Sequence, residues 1–260
     1  MNRIEEAFSN NKAFIAFTVG GDPDIETTER LILAMAEAGA GIIEIGIPFS
    51  DPIAEGPVIQ AAAERALAGG CTTDMLFDMV AELRPKTEIP LLFMTYINPV
   101  FVYGKEKFLQ KCRECGIDGV IIPDLPFEEK GEMEDLCLAY DMTMISMISP
   151  ASGERIAMIA REAKGFLYCV SSFGVTGMRS EINTDIGAMV SKAKEVSSVP
   201  CAVGFGISNP EQAREIASLA DGVIVGSAIV DLIAKHGRDS VPHVKKFVTE
   251  MKEEISQGRD

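Results

Sequence analysis

The stretch GIIEIGIPFSDPIAEGP, residues 41–57, places a short apolar, β-branched run directly before a loop rich in Gly and Pro. Short apolar runs bounded by such loops are typical of strands that are buried on both faces of a parallel sheet. The same pattern recurs along the chain, and we predict eight strands: Phe14–Val19, Gly41–Ile45, Leu91–Thr95, Gly119–Ile122, Thr143–Ile148, Phe166–Val170, Cys201–Gly204 and Gly222–Val225.

Amphipathic stretches lie between these strands. Strands that alternate with helices favour an α/β fold, here a (β/α)8 TIM barrel, and 260 residues suit a barrel of about 250. An open doubly wound sheet is the alternative. Nothing marks a linker, so we predict that residues 1–260 form a single domain with extra flanking helices at Asn2–Ser9 and Asp239–Ser256. The clearest internal helices are Asp24–Ala38, Lys105–Cys115, Glu128–Tyr140, Ser152–Ala163, Asp185–Val196 and Pro210–Leu219.

The charge balance narrows the possible partners. A net charge of −15 repels nucleic-acid phosphates and anionic lipid, so neither is expected as a partner. The first residues carry Arg3 and Glu5 and no apolar leader, and no uncharged run approaches the roughly 20 residues of a membrane span. We therefore expect a cytoplasmic protein, whose anionic ligands would be held locally by backbone N–H groups.

The sequence argues against redox, metal and Schiff-base chemistry. The cysteines include one C-x-x-C pair, Cys112 and Cys115, without a second pair, so a hydrophobic role is favoured over a redox or metal role. The two histidines, His236 and His243, are more typical of surface helices than of a metal site, and we predict no metal. No lysine lies within a predicted strand, which argues against a Schiff-base aldolase.

Two carboxylates follow from the opening stretch. Active sites of such barrels lie at the carboxyl ends of the strands. Glu44 interrupts an apolar strand, where an unpaired carboxylate is costly to bury; it is either a general acid or base with a raised pKa, or part of an ion pair or a capped loop end. Glu55 lies in the Gly/Pro loop that could return it to the same cavity, although a solvated loop residue is the simpler interpretation.

The last strands carry a pattern suited to phosphate. Gly204–Ser208 follows the seventh predicted strand and Gly226–Ala228 the eighth, the usual positions of a barrel phosphate site. Two tight turns would also explain them. The polar, Gly-rich segment Ser171–Arg179 after the sixth strand is long for a connection, and it is either a lid over the substrate or merely a flexible loop.

Together these motifs resemble the tryptophan synthase alpha subunit family, from Ala7 to about Lys246. The most specific part is Glu44–Pro57, because flavin-phosphate barrels share the phosphate motif. Supporting matches are Gly20–Pro23, Pro123–Pro126, Gly174–Gly177 and Gly204–Ser208.

The resemblance assigns roles by position. Glu44 matches the family's catalytic glutamate, and Glu55 occupies the position of its second catalytic carboxylate, usually an aspartate. Thr176 would close over that second carboxylate. The phosphate-binding positions would be Gly177, Gly206, Gly226 and Ser227, and the indole pocket would be lined by Phe17, Tyr96, Ile121, Tyr168, Phe205 and Ile224.

The resemblance also implies an activity, namely a lyase that splits indole-3-glycerol phosphate into indole and glyceraldehyde 3-phosphate in tryptophan biosynthesis. It implies no cofactor in this chain, and a pyridoxal-phosphate beta subunit as partner in an α2β2 tetramer. Two rival interpretations remain: another phosphate-binding barrel such as an FMN oxidoreductase, and a catalytically weakened barrel that mainly activates the beta subunit, suggested by the unusual Glu55.

Overall fold

The computed structural model describes residues 2–9, 12–170, 179–204 and 206–257. Within these residues nine parallel strands form one sheet in the order β5-β4-β3-β2-β1-β9-β8-β7-β6. The strands are β1 (Ala13–Val19), β2 (Ile42–Gly46), β3 (Leu91–Met94), β4 (Gly119–Ile121), β5 (Thr143–Met144), β6 (Ser146–Ile148), β7 (Leu167–Val170), β8 (Cys201–Gly204) and β9 (Gly222–Val225).

The sheet closes through a single interrupted strand. Strand β5 pairs with β4, β6 pairs with β7, and only Ile145 separates β5 from β6. The Ile145 N–H donates to the Val120 carbonyl at 3.0 Å, which continues the pairing through the interruption. The two short strands thus fill one position, and the predicted eight-stranded barrel is confirmed over the open sheet.

Helices follow the strands and form the outer layer. All six predicted internal helices are present, and Lys105–Cys115 and Pro210–Leu219 have the predicted bounds. Sequence prediction did not single out four further helices, at Pro57–Ala68, Thr73–Leu83, Ile97–Tyr103 and Ser227–His236. The helices are α1 (Arg3–Glu6), α2 (Ile25–Glu37), α3 (Pro57–Ala68), α4 (Thr73–Leu83), α5 (Ile97–Tyr103), α6 (Lys105–Cys115), α7 (Gly131–Ala139), α8 (Arg155–Glu162), α9 (Arg179–Lys194), α10 (Pro210–Leu219), α11 (Ser227–His236) and α12 (Val241–Gln257).

Alternate strand residues face the inside of the barrel. Ile42 of β2 belongs to the inner apolar cluster, whereas its neighbour Ile43 packs with the helix layer. Because side chains alternate along a strand, Glu44 points the same way as Ile42, into the barrel. The inner cluster comprises Ile4, Ala13, Ile15, Ile42, Leu92, Ile121, Ile145, Phe166, Ala202 and Ile224.

The cysteines and histidines have structural surroundings. All six cysteines are buried with free thiols. His236 lies on α11 and His243 on α12, and their rings stack with the centroids 3.7 Å apart. In the part of the chain that the structure describes, no group of three or more His, Cys, Asp or Glu could hold a metal ion, and no helix is long and apolar enough to cross a membrane.

Candidate active site

A cavity of about 650 Å³ opens at the carboxyl ends of the barrel strands. Its wall combines apolar side chains from the strands with polar groups from the loops that follow them. The lining residues are Phe17, Ala54, Glu55, Gly56, Pro57, Ile59, Met94, Pro123, Met147, Ile148, Ser149, Ser152, Tyr168, Val170, Gly204, Gly206, Ile207, Ile224, Gly226 and Ser227.

Glu44 is fully buried inside the barrel. It lies next to Phe17 of β1 and Leu92 of β3 in the strand register, and neither of its carboxylate oxygens has a hydrogen-bond partner. Burial raises its pKa from 4.5 to about 8. The Glu44 side chain does not line the cavity itself, but Tyr168 does; burial raises the Tyr168 pKa, and Glu44, when it is ionised, raises it further. Glu44 is therefore a neutral, unpartnered acid just behind the cavity wall at pH 7.

Glu55 reaches the cavity from the loop between β2 and α3. Its carboxylate accepts a short hydrogen bond from the Tyr96 hydroxyl, and its carbonyl accepts one from the Gln60 amide at 2.8 Å. Burial raises the Glu55 pKa, the Tyr96 hydrogen bond lowers it, and the nearby Asp124 carboxylate raises it. The loop thus returns Glu55 to the cavity, with its carboxylate held by a side chain from the end of β3.

The phosphate pattern lies on another part of the rim, after β8 and β9. Gly206 and Gly226 line the cavity at the ends of β8 and β9, and Ser227 is the first residue of α11. Gly206 has a φ of +59°, in the left-handed region that favours glycine, and a Cβ built there would meet nothing within 4 Å. An exposed backbone and the free N–H groups of a helix N-terminus are the arrangement that binds a phosphate dianion.

Two aromatic rings form part of the cavity wall. Phe17 and Tyr168 both line it, and each lies against a glycine. A Cβ on Gly46 would lie 2.8 Å from Phe17 Cζ, and one on Gly204 would lie 2.8 Å from the Tyr168 hydroxyl. Any larger residue at these two positions would displace the rings, so the two glycines allow the rings the positions that they have in the cavity wall.

The predicted site residues divide into three groups. Seven line the cavity: Phe17, Glu55, Tyr168, Gly206, Ile224, Gly226 and Ser227. Three lie behind its wall: Glu44 inside the barrel, Tyr96 against the Glu55 loop, and Ile121 within the inner apolar cluster. Thr176, Gly177 and Phe205 lie outside the described residues, as does most of the predicted lid Ser171–Arg179.

Sequence reasoning missed part of the wall. Met94 and Met147 come from inward strand positions, and Ser149 and Ser152 follow the end of β6. The two serines could have been found from the sequence, because polar residues just beyond a barrel strand lie at the active-site end. Ser149 and Ser152 also form a reciprocal capping box, which fixes that short turn at the rim.

Comparisons with known proteins agree over nearly the whole chain. A family model for the tryptophan synthase alpha chain matches residues 5–258. The tryptophan synthase alpha chain of Lacticaseibacillus casei is 46% identical over 252 residues, which cover 97% of this chain and 95% of the relative.

Solved structures give the same answer. Tryptophan synthase subunit alpha from Legionella pneumophila str. Paris has a TM-score of 0.90 at 36% identity, covering 98% of each chain. A Pyrococcus furiosus chain, solved to explain mutual activation of the tryptophan synthase α2β2 complex, has a TM-score of 0.87 at 36% identity, covering 94% of this chain and 98% of that one. With this fold and this coverage, the chain belongs to the tryptophan synthase alpha chain family.

Proposed function

We propose that this protein is a lyase that cleaves indole-3-glycerol phosphate into indole and glyceraldehyde 3-phosphate, a step of tryptophan biosynthesis. The observation that carries the proposal is the buried, unpartnered Glu44 behind a cavity that has Glu55 on one part of its rim and the Gly206–Gly226 backbone on another. We also propose that residues 1–260 act as one barrel domain; the cytoplasmic location stays a prediction.

Glu44 supplies the proton that starts the reaction. With a pKa of about 8, the side chain is mostly protonated at pH 7, so it is a carboxylic acid ready to donate. Protonation of indole C3 converts the ring into an indoleninium, which is the electron sink for breaking the carbon–carbon bond. A change of the Glu44 rotamer brings the carboxyl through the wall beside Tyr168 to the substrate.

Glu55 stabilises the charge that this proton creates. The indoleninium carries its positive charge at the ring N–H, and a carboxylate held beside it favours that state. The Glu44 carboxylate then takes the proton of the glycerol hydroxyl next to the breaking bond. That oxygen becomes the aldehyde, the bond electrons return to the indole ring, and Glu44 ends protonated as it began.

The phosphate fixes the far end of the substrate. Backbone N–H groups around Gly206, Gly226 and Ser227 hold the dianion, with Gly177 and Thr176 proposed to complete the closed site. The part of the cavity lined by Phe17 and Tyr168 takes the indole ring. Binding both ends orients the scissile bond, which is a large contribution when no cofactor takes part, and we propose that none does.

A charge at Ser227 tests the phosphate position. Ser227→Asp should raise KM for indole-3-glycerol phosphate by about tenfold or more, because a carboxylate at the first residue of α11 repels the dianion. An acidic residue suits a helix N-terminus, so thermal stability should not fall. Ser227→Ala is the matched control, with a small effect. Steady-state indole release measures both, and an unchanged KM in Ser227→Asp would place the phosphate elsewhere.

A beta subunit is the proposed partner. The Glu55 loop and the adjacent helix α5 expose apolar side chains: Ile53 is 79% exposed and Val102 is 81% exposed. Ile53 lies two residues from Glu55, so a subunit that covers this surface also orders the loop that carries Glu55. Indole released in this cavity would then pass directly to the partner's pyridoxal phosphate.

Complex formation should therefore accelerate this chain. Adding a beta subunit is expected to raise kcat for indole formation by about tenfold or more, equivalent to about 1.4 kcal/mol of loop ordering. Indole release is measured during titration with the partner, while sedimentation follows assembly. Assembly without any rise in kcat would contradict the ordering of the loop. A chain that only activates its partner would show no indole release at all, an alternative that family membership does not favour.

A further inference from the structure

The Tyr96 hydroxyl joins three groups of the loop that carries Glu55. Its oxygen accepts the N–H of Ile53 at 3.1 Å and the N–H of Ala54 at 2.8 Å, and its proton is donated to the Glu55 carboxylate. Tyr96 is only 3% exposed and does not line the cavity. The hydroxyl therefore contacts the loop, although the resemblance had assigned Tyr96 to the indole pocket.

The rest of Tyr96 is fixed by its surroundings. The residue directly precedes α5, and its ring packs against Phe49 with the centroids 5.5 Å apart. Ile53 and Ala54 of the loop are exposed to solvent, and their backbone N–H groups are held by the Tyr96 hydroxyl. The fixed Tyr96 ring thus holds its hydroxyl in place, and the hydroxyl positions the loop backbone and the Glu55 carboxylate.

We propose that Tyr96 is a positioning residue matched to the length of the glutamate at position 55. The inference rests on the proposed function of Glu55. An aspartate there would draw the carboxylate back by about 1.5 Å, roughly one bond length, and leave the hydroxyl beyond hydrogen-bond distance in this backbone conformation. A glutamate that lacked the hydroxyl would have an additional free torsion and several competing positions. The Tyr96 hydroxyl selects one of them.

The same bond favours the charged form of Glu55. Burial and the Asp124 carboxylate raise the Glu55 pKa, whereas the bond from Tyr96 lowers it. Removing the hydroxyl raises the Glu55 pKa further, so the carboxylate forms only at higher pH. If Tyr96 only packed against the loop, Tyr96→Phe would leave the Glu55 pKa unchanged.

Tyr96→Phe tests the proposal, because it removes only the hydroxyl. We expect kcat for indole formation to fall about tenfold near pH 7, and the acidic limb of kcat/KM to move up by about one pH unit. KM should change little, since the proposed phosphate-binding residues are unchanged. Tyr103→Phe is the matched control: Tyr103 donates to Asp74 at 2.5 Å on an exposed surface, so its removal should leave the pH profile unchanged.

The length match is tested by a double-mutant cycle. In a Glu55→Asp background, Tyr96→Phe should change kcat by less than about twofold, because no bond remains to be lost. An equal loss in both backgrounds, or an acidic limb that stays in place, would overturn the proposal.

A readout without turnover separates this inference from the proposed function. The Glu55 carboxyl carbon can be titrated by ¹³C NMR in the wild type and in Tyr96→Phe, with assignment from Glu55→Gln. A higher Glu55 pKa in Tyr96→Phe supports the positioning role even if neither protein releases indole, in which case only the proposed function fails. Identical titrations in the two proteins would refute the positioning role.

Discussion

Glu44→Gln is expected to lower indole release at least about a hundredfold, the low end for loss of a general acid and base. Glutamine keeps the shape of the side chain but can neither donate the proton to indole C3 nor accept the glycerol proton. KM should change little, because the residues proposed to bind the indole ring and the phosphate remain. Steady-state kinetics of both proteins measure the loss, and near-normal turnover would remove Glu44 from the mechanism.

The stability of Glu44→Gln provides the control for folding. The Glu44 pKa is about 8 in the folded protein and about 4.5 when exposed, so the folded state retains this proton longer than the unfolded state does. Wild-type stability therefore falls as pH rises from about 4.5 towards 8. Glutamine has no proton to lose, and the variant should be more stable than the wild type near pH 8, by an amount on the order of a few kcal/mol. Equal melting curves across this pH range would contradict the raised Glu44 pKa.

The two carboxylates also predict a bell-shaped pH profile. The proposed mechanism requires Glu55 ionised and Glu44 protonated, so kcat/KM should rise as Glu55 loses its proton and fall as Glu44 loses its own near pH 8. In Glu44→Gln the basic limb should disappear from the residual activity. A basic limb that persists in this variant would belong to another group.

Glu55→Ala is expected to lower kcat about a hundred- to a thousandfold, because it removes the charge that we propose to stabilise the indoleninium. Glu55→Asp should retain or increase turnover: aspartate, which the family usually has here, loses the bond to the Tyr96 hydroxyl but also lacks the additional torsion that this bond holds in glutamate. Comparing indole release by the wild type and both variants, with and without a beta subunit, measures the effect. An unaffected Glu55→Ala would show that this carboxylate is not catalytic, and an inactive Glu55→Asp would show that the loop requires the longer side chain.

The barrel could be predicted from the sequence because each strand is a local pattern. An apolar run such as Cys201–Gly204 is buried on both faces, so its residues identify it without knowledge of its neighbours. The interruption at Ile145 could not be predicted in the same way. It depends on how β5 and β6 pair with β4 and β7, which lie elsewhere in the chain.

The site could be predicted less completely. Glu44 was identifiable because a carboxylate within an apolar strand must either be partnered or have a raised pKa, and the structure has the second. The depth at which an inward-facing side chain lies along the barrel axis could not be predicted, since it depends on strand tilt and stagger. Ile121 faces inward as the alternation requires, yet it lies in the inner cluster rather than on the cavity wall. The contact between Tyr96 and Glu55 depends on an irregular loop, for which no periodic pattern exists.

The most direct test of the account is indole release from indole-3-glycerol phosphate by the purified wild-type chain alone, after dialysis against a metal chelator and without added pyridoxal phosphate. The account predicts indole and glyceraldehyde 3-phosphate in equal amounts, and Glu44→Gln should reduce both together. The account would be contradicted if no indole appeared with or without a beta subunit, or if indole release required an added cofactor.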